Sequence, residues 1–303
     1  MTIGVAIIGL GRIGFDSFEI DSVEGKIRSH TFAVLNQPGC HLVAGIDPDP
    51  YKRSRFEQAT KAITFSSLTD VSPPILEKID AFIVATPTIA QYEVLRELGS
   101  LENDYWVMCE KPMCSNLEEI VSLGSYIDVR KVIVNYSRRF SSDIDTCKSI
   151  FERFIKEMNA PLKVNFFGGM LRTASHFIDL ANYWFLGQDS MVTAGMISKT
   201  ISGYSINYPR AMIEFVSVDP YSNESFAEFI LESNDTRISL VRDTFTQVTP
   251  SGTISRKILV SQEATIGALV ELISSNGSRN RCSYSDALKV HLAMSHMTQL
   301  QIN

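Results

Sequence analysis

The sequence lacks the features that mark membrane, secreted and nucleic-acid-binding proteins. No apolar run approaches the roughly 18 residues that span a bilayer, and the N-terminus lacks the basic-then-apolar order of a signal peptide. Its 28 basic residues are outnumbered by 34 acidic ones, which gives a formal charge of -6 and no broad basic surface. We therefore expect a cytoplasmic protein whose partner is a small molecule, neither a nucleic acid nor a membrane.

Cysteine is also too sparse and too scattered to organise the fold. The five cysteines are odd in number and show no C-x-x-C spacing. Neither a disulfide framework nor a zinc site is indicated, and we predict no metal site. The chain has 303 residues, and single cores rarely grow beyond about 250 residues, so two domains are expected.

The N-terminus carries a strand that runs into a glycine turn. Val5–Ile8 is a short apolar run, typical of a strand buried in a parallel sheet, and Gly9, Gly11 and Gly14 follow with G-x-G-x-x-G spacing. In this pattern the first glycine permits the turn, the second lets a pyrophosphate approach, and the third allows a helix to pack closely. An ordinary loop can share the spacing, but the preceding strand favours a dinucleotide site, which Arg12 and Ile13 would also line.

An acidic residue after the second strand completes this predicted site. Asp47 lies 33 residues after Gly14, against about 20 in dinucleotide folds. The charged segment 15–29 accounts for the excess: we interpret it as an insertion that delays the first helix, and it is either a lid, a subunit contact or a solvated loop. A carboxylate repels a 2'-phosphate, so NAD is favoured over NADP, although Lys52 and Arg53 lie close by. A simple turn at residues 47–50 is the alternative.

Strands and helices then alternate as far as Tyr136. The predicted strands are His41–Ile46, Ile79–Ala85, Tyr105–Cys109 and Lys131–Tyr136, and the predicted helices are Thr31–Asn36, Tyr51–Ala62, Gln91–Leu98 and Asn116–Tyr126. This alternation predicts an α/β doubly wound parallel sheet over residues 1–137, with a second domain over residues 138–303. Thr86 and Pro87 end one strand at the carboxyl edge, where ligands bind.

Several short motifs, in order and spacing, resemble the glucose-fructose oxidoreductase, inositol dehydrogenase and MocA (Gfo/Idh/MocA) family. They are Gly9–Gly14, Asp47, Ala85–Pro87, Glu110–Pro112 and Arg138–Phe140. The resemblance implies a Rossmann domain that binds NAD or NADP, followed by an α/β domain built on a large open mixed sheet. It further implies that Glu110 and Lys111 contact the cofactor, that Lys111 points at the substrate hydroxyl, that the Lys111–Pro112 bond is a candidate cis peptide, and that Arg139 contacts substrate.

The resemblance continues in the second half through Gly168-Gly169 and the run from His176 to Gly187. It implies a catalytic role for His176 and a substrate contact for Asp179. The family usually has an aspartate four residues before this histidine, where this chain has Arg172. A second departure is Gln91, at a position where the family commonly has histidine.

The remaining second half predicts a sheet followed by two helices. The predicted strands are Met191–Lys199, Arg210–Val218, Phe226–Glu232, Thr236–Arg242 and Ser255–Val260, and the predicted helices are Gln262–Ser274 and Tyr284–Gln301. Apolar residues alternate onto both faces of the second of these strands, which predicts a homo-oligomer, a dimer or tetramer, that associates through this sheet. Met294 and Met297 are predicted core residues, and His291 and His296 are interpreted as incidental.

The sequence thus predicts an NAD(P)-dependent oxidoreductase that moves a hydride between nicotinamide and a secondary alcohol or ketone of a polyol, sugar or nucleotide-linked sugar. We expect Lys111 and His176 to share the proton transfer. We expect Arg172 to hold an anionic group of the substrate. Two alternatives stay open because the family aspartate is missing: a dinucleotide-binding regulator that has lost the chemistry, and an enzyme that uses bound NAD to assist elimination.

Overall fold

The structure is a computed structural model, and it describes residues 2–16, 29–101, 104–158, 160–187, 190–219, 226–233 and 235–302. The chain divides into two compact units. The first comprises Met1–Phe140 and Ser261–Ser285, and the second comprises Ser141–Val260 and Asp286–Asn303. The predicted division after residue 137 lies within three residues of the first break. It did not anticipate that residues 261–285 return to the first unit.

The first unit is built on a six-stranded parallel sheet. Its strands are β1 (Ile3–Ile8), β2 (Cys40–Ile46), β3 (Ile63–Phe65), β4 (Ala81–Val84), β5 (Trp106–Cys109) and β6 (Val132–Val134). They are arranged in the order β3-β2-β1-β4-β5-β6, and every pair is parallel. Every residue of β1 and β4 is buried, as expected of central strands covered on both faces. The predicted doubly wound domain is confirmed.

Local capping explains where the helices of this unit begin. They are α1 (His30–Asn36), α2 (Pro50–Thr60), α3 (Pro73–Leu76), α4 (Thr88–Gly99) and α5 (Leu117–Leu123). Ser29 caps α1 by accepting a hydrogen bond from the Phe32 N–H, and Asp49 caps α2 with Pro50 in the first turn. Helix α2 ends where Lys61 takes a left-handed conformation, with φ of 62°.

Two features of the first unit were not part of the sequence-based expectation. A short helical turn, Arg12–Asp16, begins inside the glycine motif, and the first α-helix starts at His30, one residue before the predicted Thr31; residues 17–28 of the predicted insertion lie outside the described residues. The second feature is helix α8 (Gln262–Ser274), which contacts α1 and the short helical turn Ser137–Phe140. Its apolar face is therefore core of the first unit.

The second unit is built on a larger mixed sheet. Its strands are β7 (Leu162–Phe167), β8 (Ile197–Lys199), β9 (Gly203–Tyr208), β10 (Ala211–Asp219), β11 (Phe226–Glu232), β12 (Arg237–Val241), β13 (Thr244–Thr249) and β14 (Gly252–Lys257). They are arranged in the order β14-β13-β12-β11-β7-β10-β9-β8. Strands β7 and β10 pair in parallel, and their neighbours pair antiparallel. The predicted large mixed sheet is confirmed.

An aromatic cluster forms the core on one face of this sheet. Helices α6 (Ile144–Met158) and α7 (Ser175–Ala181) both contact β11. Trp184 stacks on Phe229 with ring centroids 5.3 Å apart, and Phe151 lies 5.5 Å from the Trp184 ring. All three side chains are buried, so this cluster supplies much of the hydrophobic stabilisation of the unit.

The opposite face of the sheet carries exposed apolar residues. Strand register places Met212 and Val248 on this face, and they are 42% and 38% exposed. Helix α9 (Tyr284–Ile302) buries Met294 and Met297, as predicted. In the described ranges, none of the helices combines the length and the apolar character needed to cross a bilayer.

Candidate dinucleotide site

The glycine turn after β1 is shaped by contacts of the protein with itself. Gly9 has φ of +94°, and a Cβ there would lie 2.8 Å from backbone atoms of Ala85 and Thr86. A Cβ on Gly14 would lie 1.9 Å from the Gly9 carbonyl oxygen. Both positions therefore require glycine before any ligand is considered.

Gly11 is different because the fold does not require glycine at this position. A Cβ on Gly11 would meet nothing within 4 Å. Arg12 and Ile13, which follow it, are exposed. The absence of a side chain thus leaves open space beside the backbone, and this is the position at which a dinucleotide fold brings its backbone against the pyrophosphate.

Asp47 connects the end of β2 to the glycine turn. Its Oδ2 accepts a hydrogen bond from the Leu10 N–H at 2.8 Å, and its Oδ1 accepts one from the Asp49 N–H at 2.9 Å. The Lys52 ammonium lies 3.6 Å from Oδ2, while Arg53 donates to the carbonyls of Asp47 and Pro48. Asp47, the predicted ribose-binding residue, therefore also has a structural role, and the Lys52 ammonium lies beside its carboxylate.

A buried hydroxyl lies at the carboxyl edge of β4. Thr86 Oγ1 is buried and has no hydrogen-bond partner among the described residues. The adjacent carbonyl of Thr86 accepts a bond from Gln91 Nε2 at 3.1 Å, and Gln91 Oε1 accepts one from the Cys109 thiol at 3.3 Å. Gln91 is thus buried and links the ends of β4 and β5 through hydrogen bonds. Because an unpaired buried hydroxyl is costly, Thr86 Oγ1 fits a contact with a bound cofactor.

Glu110 follows β5 and is held by buried side chains. Its Oε1 lies 2.8 Å from His30 Nε2 and accepts a 2.6 Å hydrogen bond from Asn135 Nδ2. Burial raises the pKa of Glu110, but hydrogen bonds from His30 and Asn135 and the charge of Lys111 outweigh it, so the pKa lies below its ordinary value. Glu110 is therefore anionic at neutral pH. The Lys111–Pro112 peptide bond is cis.

The first-unit residues predicted for the cofactor converge in space. They follow the carboxyl ends of four strands that are consecutive in the sheet, β2, β1, β4 and β5. This edge brings together Gly9, Gly11, Arg12, Ile13, Gly14, Asp47, Thr86, Pro87, Glu110 and Lys111. Arg139, predicted to contact substrate, is buried in the first unit and donates to the Arg281 carbonyl at 3.4 Å.

The remaining predicted residues belong to the second unit. Arg172 lies in the helical turn Met170–Ala174 and is exposed, and His176 is half-buried near the start of α7. Asp179, one turn later, is buried. Burial and the charge of Asp179 raise the pKa of Tyr208, whose hydroxyl donates to Asn182 Oδ1 at 2.9 Å. In the described part of the chain, no group of three or more His, Cys, Asp or Glu residues could hold a metal ion.

Comparisons with known proteins match the fold of the first unit. Residues 3–137 match the profile of the oxidoreductase family with an NAD-binding Rossmann fold, Gfo/Idh/MocA. Among curated proteins, no significant match to the sequence was found.

Solved structures share the fold over the whole chain. They include a dehydrogenase from Chromobacterium violaceum, with a TM-score of 0.70 and 14% identity over 98% of this chain and 95% of that chain. The WlbA dehydrogenase from Bordetella pertussis, in complex with NADH and UDP-GlcNAcA, has a TM-score of 0.70 and 16% identity over 100% and 97%. KijD10, a 3-ketoreductase from Actinomadura kijaniata in complex with NADP, has a TM-score of 0.71 and 12% identity over 99% and 97%. The resemblance found in the sequence is confirmed: residues 3–137 match the Gfo/Idh/MocA oxidoreductase family, which is described by its NAD-binding Rossmann fold.

Proposed function

We propose that the protein transfers a hydride between a nicotinamide dinucleotide and a secondary alcohol or ketone of a sugar, polyol or nucleotide-linked sugar. The observation that carries the proposal is the convergence of the open position at Gly11, the Asp47 carboxylate and the Glu110-Lys111 pair at one sheet edge. These groups suit the pyrophosphate, the adenosine ribose and the reacting end of a dinucleotide, respectively.

The role that we assign to each group follows from its chemistry. The bound dinucleotide supplies the hydride acceptor or donor. The residues of the chain hold the dinucleotide through the glycine turn, Asp47 and Thr86, and Lys111 exchanges the proton of the substrate hydroxyl. A general acid or base is needed because the alcohol loses a proton as it loses the hydride. We keep His176 as a second participant in this proton transfer.

The substrate class is supported by what two similar proteins bind. The WlbA structure holds UDP-GlcNAcA, and a KijD10 structure holds TDP-benzene with NADP. Both ligands combine a nucleotide with anionic groups. Arg172 is an exposed guanidinium in the second unit, and we propose that it holds an anionic group of the substrate through bidentate hydrogen bonds.

A panel of substrates tests the reaction and separates it from the alternatives. Wild type, His176→Ala and Arg172→Ala are assayed with NAD and a set of neutral sugars, acidic sugars and nucleotide sugars, and nicotinamide absorbance is followed. We expect turnover of an anionic member, and KM for that substrate raised about tenfold or more in Arg172→Ala, because a charged hydrogen bond contributes about 1.5–3 kcal/mol. Neutral substrates should be unaffected by this substitution.

Two results of the same assay favour the alternatives. NAD binding without turnover of any panel member supports a dinucleotide-binding regulator. Substrate consumption without net change in nicotinamide absorbance supports NAD-assisted elimination. Full retention of KM in Arg172→Ala would remove the anchoring role while leaving the oxidoreductase proposal intact.

Cofactor preference is tested at Asp47 and the neighbouring Lys52. Asp47→Asn removes the charge that repels a 2'-phosphate, so we expect NAD to bind about tenfold more weakly and the preference for NAD over NADP to shrink or reverse. Lys52→Met removes the cation 3.6 Å from the carboxylate and should weaken NADP binding more than NAD binding. Calorimetric titration of both variants with both dinucleotides measures this. An unchanged ratio of the two dissociation constants in Asp47→Asn would assign Asp47 a structural role alone.

Self-association through the second-unit sheet is proposed as well. The exposed residues Met212 and Val248 lie on one face of that sheet, where a second copy would cover them. A dimer or tetramer formed in this way is the expected state in solution.

A further inference from the structure

His30 is a buried residue that no sequence motif identified. It is the first residue of α1 and has no solvent-exposed surface. Its Nε2 lies 2.8 Å from Oε1 of Glu110, a residue 80 positions away in the chain. A charged carboxylate can only accept hydrogen bonds, so Nε2 carries the hydrogen.

The Glu110 carboxylate links His30 to Lys111 through hydrogen bonds. Its Oε1 is held by both His30 and Asn135, which fixes the orientation of the carboxylate. Its Oε2 accepts a hydrogen bond from the backbone N–H of Lys111 at 3.3 Å. A continuous series of hydrogen bonds therefore runs from the start of α1 to the main chain of Lys111.

Asn135 cannot take over the role of His30. Its Nδ2 donates to Glu110 and to Gln262 Oε1 at 3.1 Å, and its Oδ1 accepts from Thr265 Oγ1 at 3.0 Å. Both amide hydrogens and the amide oxygen of Asn135 are thus engaged. Two of the three partners, Gln262 and Thr265, lie on α8. Loss of His30 would leave Oε1 with Asn135 as its one described donor and would hold the carboxylate less firmly.

We propose that His30 is a positioning residue for Lys111, acting through the Glu110 carboxylate. The consequence for catalysis rests on the proposed hydride transfer, because Lys111 is the proton-transferring group of that proposal. A displacement of about 1 Å at a reacting group can lower a rate by about 10²-fold, so a residue that touches neither substrate nor cofactor can still set the rate.

The imidazole ring supports this role through its second nitrogen. His30 Nδ1 is buried and has no hydrogen-bond partner among the described residues. A hydrogen on Nδ1 would be an unmatched buried donor, which is costly. The hydrogen on Nε2 has its acceptor in Glu110, so the donor stays directed at the carboxylate.

Three substitutions separate positioning from simple packing. Glutamine can place its side-chain N–H near the position of Nε2, asparagine is too short to do so, and alanine removes the donor. We expect the Lys111 amide to exchange with solvent about tenfold faster or more in His30→Ala and His30→Asn than in wild type, and His30→Gln to stay near wild type, because one hydrogen bond to a charged group contributes about 1.5–3 kcal/mol. The exchange is measured by NMR on the free protein.

Global destabilisation is controlled within the same experiment. The amide of Ile7 in the buried strand β1 reports on unfolding of the whole unit, and His41→Gln changes an exposed histidine outside the series. In His30→Asn we further expect kcat to fall about 10²-fold with little change in NAD affinity, and His30→Gln to restore most of kcat.

The outcomes distinguish this inference from the proposed function. Unchanged Lys111 exchange in His30→Asn, or equal acceleration at Ile7, would overturn the positioning role whatever the activity. Faster Lys111 exchange in a protein that binds no dinucleotide would uphold the positioning of Lys111 and refute the proposed function. Faster exchange with full kcat would overturn the catalytic consequence.

Discussion

Replacement of Lys111 by alanine is expected to lower kcat for hydride transfer by about 10²- to 10⁴-fold, the usual contribution of a general acid or base. NAD affinity should change little, because in the proposed arrangement the glycine turn and Asp47 hold the adenosine half of the cofactor. Lys111 is half-buried and directly follows Glu110 at the end of β5, where the dinucleotide edge of the sheet lies. Stopped-flow measurement of nicotinamide reduction, together with calorimetric titration of NAD, separates the two effects.

Lys111→Arg is the informative companion variant. Arginine keeps the positive charge but does not release a proton in proteins, so it should be nearly as inactive as alanine if Lys111 transfers a proton. Lys78→Ala removes an exposed lysine of the same unit and should behave as wild type. Activity in Lys111→Arg close to wild type would mean that only the charge matters, and the proton would then have to pass through another group.

Gly11→Val is expected to weaken dinucleotide binding without destabilising the protein. Its side chain enters space that is empty in the structure, so the free energy of unfolding should change by less than about 0.5 kcal/mol, as for other surface substitutions. The same side chain would occupy the approach of the pyrophosphate, and we expect NAD affinity to fall at least about tenfold, equivalent to 1.4 kcal/mol.

Gly14→Ala provides the contrasting case. Its Cβ would lie 1.9 Å from the Gly9 carbonyl oxygen, so the turn must shift and we expect a loss of about 1–3 kcal/mol of stability as well as weaker binding. Thermal unfolding and calorimetric titration of both variants measure the difference. If Gly11→Val bound NAD as wild type does, the dinucleotide would not lie against this turn, and the arrangement proposed for the site would fail.

Because Glu110 is ionised at neutral pH, the stability of the folded protein depends on pH at this residue. Its pKa in the folded protein lies below the ordinary value, so its contribution to stability is present at neutral pH and is lost as the pH falls through that lowered pKa. The hydrogen bonds from His30 and Asn135 therefore act as stabilising contacts over the physiological pH range.

Local sequence patterns determined the parts of the protein that depend on neighbouring residues. The apolar run of β1 and the spacing of Gly9, Gly11 and Gly14 predicted the strand and turn, and strand–helix alternation predicted the parallel sheet. Helix limits were predicted to within a few residues where caps such as Asp49 occur. These signals are readable because buried strands, tight turns and capped helices impose residue types at fixed local spacing.

The second sheet contains elements that local sequence patterns did not predict. Strands β7, β9 and β13 and helix α6 were not predicted, although β7 lies at the centre of the sheet. Strand β14 begins three residues earlier than the predicted Ser255–Val260, and it is exposed along its whole length, so no buried face marks where it begins. Edge strands are held by backbone hydrogen bonds to a neighbour, and those bonds leave no mark in the sequence of the strand.

Only the tertiary structure decided how distant segments combine around Lys111. His30, Glu110, Asn135 and Thr265 come from four separate parts of the chain, and their hydrogen bonds have no local period. Helix α8 was predicted as a helix, but its place in the first unit follows from packing against α1. The sequence by itself therefore determined the strand, the glycine turn and the acid that suit a dinucleotide. Tertiary packing decided which buried side chains hold Glu110, because a hydrogen bond depends on where two residues meet in space and not on how far apart they lie in the chain.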